Sequence, residues 1–339
     1  MQYYKVLNEE MNHHRFQYKL GLNIDTSAFN DETCENGLHF CRKEDVLSWL
    51  SFGTKLAFVS IPETAKVCHF QNKNKSKADS IFIEKIIDLK DWNEWENENF
   101  CLEAVKRHGN SLQYVKNQTE EICLEAVKLN AYSLYFVKNQ TEKICLEAVK
   151  RSGYALKYVK NQTEEICLEA VKRHGESLQY VKNQTEEICL EAVKLNAYSL
   201  YFVKNQTEKI CLEAVKRSGY ALKYVKNQTE EICLEAVKRH GESLQYVKNQ
   251  TEEICLKAVK QNGSALQYVK KQTKEICFEA VKQNESALEY VKNQTEEICL
   301  EAVKRNGYAL RYVKKKTEKI LLEAVKQNPL ASKYIDISF

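Results

Sequence analysis

The sequence predicts a mostly α-helical repeat protein: a right-handed-type α-solenoid of eleven 22-residue helical hairpins, preceded by a small α+β domain. Three observations carry that prediction. Cys101, Cys123, Cys145, Cys167, Cys189, Cys211, Cys233, Cys255, Cys277 and Cys299 recur at an unbroken spacing of 22, with Leu321 at the equivalent place in the eleventh copy. Within a copy, Ile122, Cys123, Ala126 and Val127 fall on one face of a helix, and Leu134 and Val137 supply a second, shorter face. Residues 101–166 and 167–232 are identical except that Asn110 becomes Glu176. A fixed period of this length marks units that cannot bury their apolar faces alone and therefore stack on one another.

The expected division is 1–92 for the small α+β domain and 93–339 for the repeats. In the first part, alternating patterns place strands at 2–8, 16–23, 38–41, 56–61, 66–70 and 81–89, with a short helix at 44–51. Leu38 and Phe40 should face the core, with His39 and Cys41 facing away. The stretch Asp91-Trp92-Asn93-Glu94-Trp95 and Phe100 supply aromatics bulky enough to cap the first repeat. The last copy loses its cysteine, gains Pro329 and closes on 334–339 as a second cap.

Inside each repeat, Thr119 in Asn-Gln-Thr-Glu-Glu reads as an N-cap, with Glu120 and Glu121 at the positive end of the helix dipole. The first helix should stop where Gly109, Gly153, Gly175 or Gly263 offers a left-handed C′ backbone, with Asn130, Asn196 and Asn284 as substitutes. Helices of ten residues or fewer are marginal alone in water and must draw stability from the neighbouring pair.

Composition excludes several classes. The 339 residues are 43% hydrophobic and 29% charged, with two prolines and ten glycines, which suits a folded chain without flexible linkers. No run approaches the roughly 18 apolar residues of a membrane span. The thirteen cysteines are odd in number and no apolar leader opens the chain, so reduced thiols and a cytoplasmic setting are expected. Residues 1–96 carry net charge −3 and the remainder +7, a thin excess for a nucleic-acid binder.

Several constellations invite a chemical reading. The cysteine ladder is expected to be buried packing, because leucine replaces it at position 321. Cys34, His39, Cys41, Cys68 and His69 lack the two-to-four-residue pair spacing of structural zinc, so no metal and no cofactor are expected. Asn-Gln-Thr occurs eight times, beginning at Asn117, Asn139 and Asn161, and capping by the threonine explains it without glycosylation. Lys106, Lys128 and Lys150 recur in every copy, and Lys116, Lys138 and Lys160 in ten. Two such stripes could track a phosphate backbone. Against that, Glu103, Glu125 and Glu147 form a parallel acidic ladder, with Glu103 four residues before Arg107. Tyr114, Phe136 and Tyr158 could stack bases, but their place beside Val115, Val137 and Val159 suits packing between repeats.

The unit LEAVKQNGxALQYV, matched at 256–269 and nearly as closely in all eleven copies over about 70% of the chain, resembles a short helical repeat of unknown function found in bacterial and giant-virus proteins. The opening YYKVLNEE, the stretch FQYKLGLN and the later GLHF resemble the N-terminal domain of repeat-protein paralogues in mimivirus-like giant viruses. That resemblance implies a viral protein made in a host cytoplasm and brings no activity with it.

The expected function is therefore a non-enzymatic scaffold that binds a host or viral protein. Differences among copies gather in the hairpin, so the candidate partner-binding residues are His108, Asn110, Gln113, Tyr132, Tyr135, Tyr154, Lys157, His174, Glu176, Gln179, Tyr198, Tyr201, Tyr220 and Lys223. One alternative is sequence-independent nucleic-acid binding on the lysine ladders. Another is an ADP-ribosyltransferase-like activity in the first domain, resting on Tyr3, His39 and the Gly37 turn.

Overall fold

The structure is a computed structural model that describes residues 2–13, 16–31, 33, 35–70 and 74–335. It divides into two compact units, residues 1–161 and 162–339.

The first unit begins with strands β1 (Tyr3–Leu7), β2 (Asn12–His13), β3 (Phe16–Gln17), β4 (Gly21–Ile24), β5 (Leu38–Phe40), β6 (Lys55–Ser60), β7 (Val67–Phe70), β8 (Lys75–Ala78) and β9 (Ser80–Asp88). A four-stranded antiparallel sheet runs in the order β1-β6-β9-β4, a three-stranded sheet in the order β5-β8-β7, and β2 pairs with β3. Leu7, Tyr18, Leu38, Phe40, Val59 and Ile81 lie in the buried cluster of this domain. Leu38 and Phe40 point inward as their alternation requires, with His39 between them half-buried. Cys41 departs from the alternation. It pairs with Tyr4 of β1 through an isolated bridge and is buried, its Sγ donating to the Tyr4 carbonyl at 3.4 Å.

Three local expectations give way to tertiary context. The run expected as one strand at 16–23 breaks into β3 and β4, because Gly21 takes φ +86°, a backbone that L side chains avoid. The helix expected at 44–51 is a 3₁₀ helix, Lys43–Phe52. Strand β8 has no apolar alternation to announce it. Its Lys77 is fully buried, and the ammonium donates to the Glu35 and Asn36 carbonyls at 2.7 and 3.1 Å.

Past the sheets, Trp92, Trp95 and Phe100 form an edge-to-face aromatic cluster, and Trp95 stacks on Tyr114 with ring centroids 5.1 Å apart. The indole of Trp95 donates to the Leu89 carbonyl at 2.6 Å. These large rings cover the open face of the first repeat, as a terminal cap must. Helices α1 (Glu98–Arg107), α2 (Glu120–Leu129) and α3 (Glu142–Arg151) follow, each succeeded by a six-residue 3₁₀ helix, at Gly109–Tyr114, Ala131–Phe136 and Gly153–Tyr158.

The second unit repeats the pattern from α4 (Glu164–Arg173) to α11 (Glu318–Gln327), which is followed by a last 3₁₀ helix at Pro329–Tyr334. Residues 336–339 of the expected C-terminal cap lie outside the described residues. Each repeat is thus an α-helix and a 3₁₀ helix rather than two α-helices. Six residues complete two turns at three residues per turn, longer than this tighter helix usually runs, so packing on the neighbouring α-helices must support it.

The inward face is the expected one. Ile122, Cys123, Ala126, Val127, Leu134 and Val137 are buried, and so are their counterparts from Ile144 to Val313; in the eleventh copy Ile320 and Ala324 are buried while Leu321 and Val325 are half-buried. Thr119 accepts a hydrogen bond from the Ile122 amide at 3.4 Å, the N3 position of its helix, and the same bond recurs at Thr141, Thr185, Thr207 and Thr229.

The helix stop works differently from the expectation of a left-handed cap. His108 and Asn130 close their helices in extended conformation, φ −141° and −140°, and the glycine opens the 3₁₀ helix. Glycine serves close approach instead. A Cβ on Gly109 would stand 2.6 Å from the Ala126 carbonyl oxygen of the next repeat, and one on Gly219 2.3 Å from that of Ala236. Ala131, Ala197 and Glu285 occupy the same place in other copies, so the neighbouring carbonyl can yield there.

Candidate functional site

Neighbouring repeats are joined by one amide. Gln118 sits in the connection between a 3₁₀ helix and the next α-helix, where backbone groups have no intrahelical partners. Its Nε2 donates to the Leu112 carbonyl at 3.2 Å in its own repeat and to the Phe136 carbonyl at 3.0 Å in the next. Its Oε1 accepts from the Lys138 amide at 2.9 Å, and the Cys123 Sγ lies 3.9 Å away as a weak donor. Gln140 repeats the arrangement in the first unit, and Gln184, Gln206 and Gln250 do so in the second. The middle residue of Asn-Gln-Thr is thus the seam of the array. Sequence reasoning assigned the triplet to the threonine alone; the recurrence of glutamine in nine successive copies, from Gln118 to Gln294, was the signal available.

The lysine ladders are engaged in different ways. Lys138 donates from Nζ to the Val115 and Lys116 carbonyls of the preceding repeat at 3.3 and 2.9 Å, and Lys160 and Lys204 make the equivalent bonds in their own repeats. An ammonium there meets the carbonyl-rich end of a 3₁₀ helix, the favourable end for positive charge. In the other ladder, Lys128 pairs with Glu125 at 2.8 Å and Lys194 with Glu191 at 2.7 Å. The acidic ladder therefore pairs at i,i+3 with lysine, where the sequence had suggested arginine at i,i+4.

The ten repeat thiols are buried. Burial pushes those of Cys123, Cys145, Cys167 and Cys189 up to about 11, so they stay protonated at neutral pH. In the first domain, Cys68 donates to the Asp31 carbonyl at 3.0 Å and His69 shares a 2.7 Å hydrogen bond with Ser76. Among the described residues, no three histidine, cysteine or acidic side chains converge as a metal site would require; Cys34 lies outside the described residues. Tyr3 packs on Phe40 at 4.8 Å and is absent from the described lining of the cleft that holds His39.

The candidate partner-binding residues fall into three groups. His108, Asn110 and Gln113 line a cleft of about 360 Å³ with Leu50 and Ser51 of the first domain. A second group is bound up in the seam. Asn110 accepts from Asn130 Nδ2 at 2.9 Å and from Ser133 Oγ at 3.1 Å, while Glu176 accepts from Asn196 at 3.1 Å. Tyr220 donates to Glu242 at 3.1 Å and stacks on His240, whose Nδ1 accepts from the Gly219 amide at 3.1 Å. The single difference between the two 66-residue blocks thus has a structural cost: with Glu176 in place of Asn110, the buried Ser199 hydroxyl has no partner. Tyr154 and His174 are half-buried, and burial lowers the His174 pKa. Gln179 turns back to the Glu176 carbonyl at 3.1 Å.

The third group is exposed and aromatic. In the first unit, Tyr132 and Tyr135 meet Tyr158 edge-on, with centroids 6.2 and 5.4 Å apart, and Lys157 lies 5.6 Å from the same ring. In the second unit, Tyr198 and Tyr201 meet Tyr224 at 6.2 and 5.4 Å, beside Lys223. Tyr135 and Tyr201 are 66% and 65% exposed, and Leu129 and Leu195, where other copies carry arginine or glutamine, are exposed too. Large apolar side chains outside the core, gathered on the second and fifth repeats, stand apart from the charged surface of most other copies.

A tandem array of short helical units with a sheet domain before it defines the class: a helical-repeat protein. The chain belongs to the family described as Domain of unknown function (DUF4116), whose model matches at residues 97–141, 120–164, 141–185, 163–207, 185–229, 207–250, 251–294 and 295–339. Most of these matches cover two 22-residue units. A second model, Domain of unknown function (DUF7666), matches residues 1–94. Two proteins of Acanthamoeba polyphaga mimivirus are similar. One, named "Putative ankyrin repeat protein", is 33% identical over 101 residues, 28% of this chain and 50% of its own length. The other, an uncharacterized protein, is 42% identical over 64 residues, 18% of this chain and 46% of its own length. The chain thus spans about half the length of the curated relatives it matches. Its own period of 22 is not the roughly 33-residue ankyrin period. No solved structure matches.

Proposed function

We propose that the chain is a non-enzymatic scaffold that binds a host or viral protein in the host cytoplasm, with the repeats at 93–339 presenting the binding surface and 1–92 forming a separate domain. The observation that carries this reading is the pair of tyrosine clusters in which exposed Tyr132 and Tyr135 meet half-buried Tyr158, and exposed Tyr198 and Tyr201 meet half-buried Tyr224. Tyrosine is favoured at protein interfaces because it adds large apolar area and a hydroxyl at little cost in conformational entropy. The lysines of the Val-Lys-Asn-Gln turns are turned onto backbone carbonyls, which speaks against a phosphate-tracking stripe.

Deletion of residues 167–232 tests the proposal with minimal disturbance. It joins Ile166 to Cys233, so the junction keeps the native Ile-Cys sequence, and it removes one tyrosine cluster. Affinity capture from infected cells, with and without nuclease, should lose partner through reduced avidity. The fourfold variant Tyr132→Ser, Tyr135→Ser, Tyr198→Ser and Tyr201→Ser should lose it with an unchanged melting temperature. Undiminished capture by both variants would sink the scaffold reading. Capture abolished by nuclease, with affinity collapsing between about 50 and 200 mM salt, would replace it with nucleic-acid binding.

A further inference from the structure

We propose that the first domain holds a binding site for a small aromatic carboxylate, in a cleft of about 430 Å³ whose lining includes Tyr4, His39, Phe40, Trp49, Phe52 and Lys75. That size falls in the roughly 300–1,000 Å³ range of ligand pockets. Its chemistry is that of a recognition site: mostly apolar walls with a few polar groups converging on one part.

The aromatic half of the ligand follows from the walls. Trp49 and Phe52 lie 5.3 Å apart between centroids, and Phe52 is exposed although it belongs to this lining. The Trp49 indole donates to the Asn74 carbonyl at 3.0 Å, which fixes its ring and leaves its face as an apolar surface. A planar ring entering the cleft would replace solvent at these faces in the edge-on or offset contacts that aromatic side chains favour.

The carboxylate follows from the polar end. His39 Nε2 is buried without a hydrogen-bond partner, an arrangement folded chains rarely leave unsatisfied. Burial and the positive charges of Lys75 and Lys5 hold the His39 pKa down to about 3, so the ring is neutral and its Nε2 can donate in one tautomer. Lys75 supplies a second donor from the lining. Lys5, also in the lining, donates from Nζ to the His39 carbonyl at 2.8 Å; burial lowers its pKa to about 7, so at neutral pH it adds only part of a positive charge. The described lining contains no carboxylate. One ring nitrogen and one ammonium match the two oxygens of a carboxylate, and are too few for the three oxygens of a phosphate.

The test uses the full chain and three probes of one shape: 2-naphthoate, neutral 2-naphthylmethanol and cationic 2-naphthylmethylamine. By calorimetry, 2-naphthoate should bind about tenfold more tightly than the alcohol, the loss expected when a charged hydrogen bond is removed, and the amine should not bind. Lys75→Met should weaken 2-naphthoate about tenfold and leave the alcohol unchanged. In the unmodified protein, 2-naphthoate should shift the His39 ring-nitrogen resonance, a readout that survives even if Lys75→Met folds poorly. Equal affinity for acid and alcohol, no binding at millimolar probe, or an unmoved His39 resonance would each overturn the assignment.

Discussion

Gln118 reaches across the repeat boundary to the Phe136 carbonyl oxygen at 3.0 Å, while its own carbonyl oxygen accepts from the Lys138 amide at 2.9 Å. One side chain thereby satisfies backbone groups of two repeats that neither could satisfy alone. The array is welded by hydrogen bonds as well as by apolar contact, and the consequences can be measured in its interior.

Gln206→Ala should lower unfolding free energy by about 2–3 kcal/mol, because the Leu200 and Tyr224 carbonyls and the Lys226 amide all lose their partner. Asn205→Ala, one residue away and exposed, should change it by less than about 0.5 kcal/mol. Urea unfolding of the two variants checks the contrast; equal effects would dismiss the seam.

The threonine should matter through its hydroxyl. Thr229 caps its helix at the Ile232 amide and donates to Glu208 of the preceding repeat at 2.8 Å. Thr229→Val, nearly the same shape, should cost about 1 kcal/mol, and Thr229→Ser should cost much less. Thermal unfolding separates the two.

Two lysines ten residues apart should behave differently. Lys204 caps the Val181 and Lys182 carbonyls, so Lys204→Met should cost about 1 kcal/mol. Lys194 pairs with Glu191 on the surface, and Lys194→Met should have a much smaller effect that disappears in high salt. Denaturant titrations at low and high salt measure both.

Alkali should unfold the array. Burial raises the Cys123, Cys145 and Cys299 thiols to about 11, against roughly 8.5 for an unfolded cysteine. Between those values the folded chain retains protons that the unfolded chain has lost, so stability falls as pH rises. Each thiol contributes about 1.4 kcal/mol per pH unit in that window and nothing below it. Unfolding midpoints should hold steady to about pH 8 and then drop; in native protein at pH 8, a thiol reagent should label the ten repeat cysteines, mapped by peptide, no faster than the repeats open. A flat profile to pH 10 would show the sulfurs to be accessible.

The repeat was legible residue by residue: Thr119 as a cap, Cys123 as packing, Ile122 and Val127 as core. Each of those roles is local or is set by position on a helix face, and both are written in spacing. Gln118 was not legible, because an exposed-looking amide in a turn declares itself only when the next repeat supplies Phe136 and Lys138. Gly109 was misread for the same reason. Its need is set by the Ala126 carbonyl 17 residues on, not by its own dihedral angles. Strand β8 escaped because buried Lys77 carries the composition of a loop. Among the candidate surface residues, Tyr132, Tyr135, Tyr198 and Tyr201 are exposed, whereas Asn110, Glu176 and Tyr220 bond to the next repeat.

By itself the sequence determined the period, the face of each helix that is buried and the caps that start it, since helical periodicity and capping act within a few residues. Only the tertiary structure decided which polar side chains belong to the seam and which face water. Hydrogen-bonding capacity is the same in both cases, and what assigns it is the geometry of the neighbouring repeat, which brings carbonyl and amide groups within 3 Å of some side chains and leaves others facing water.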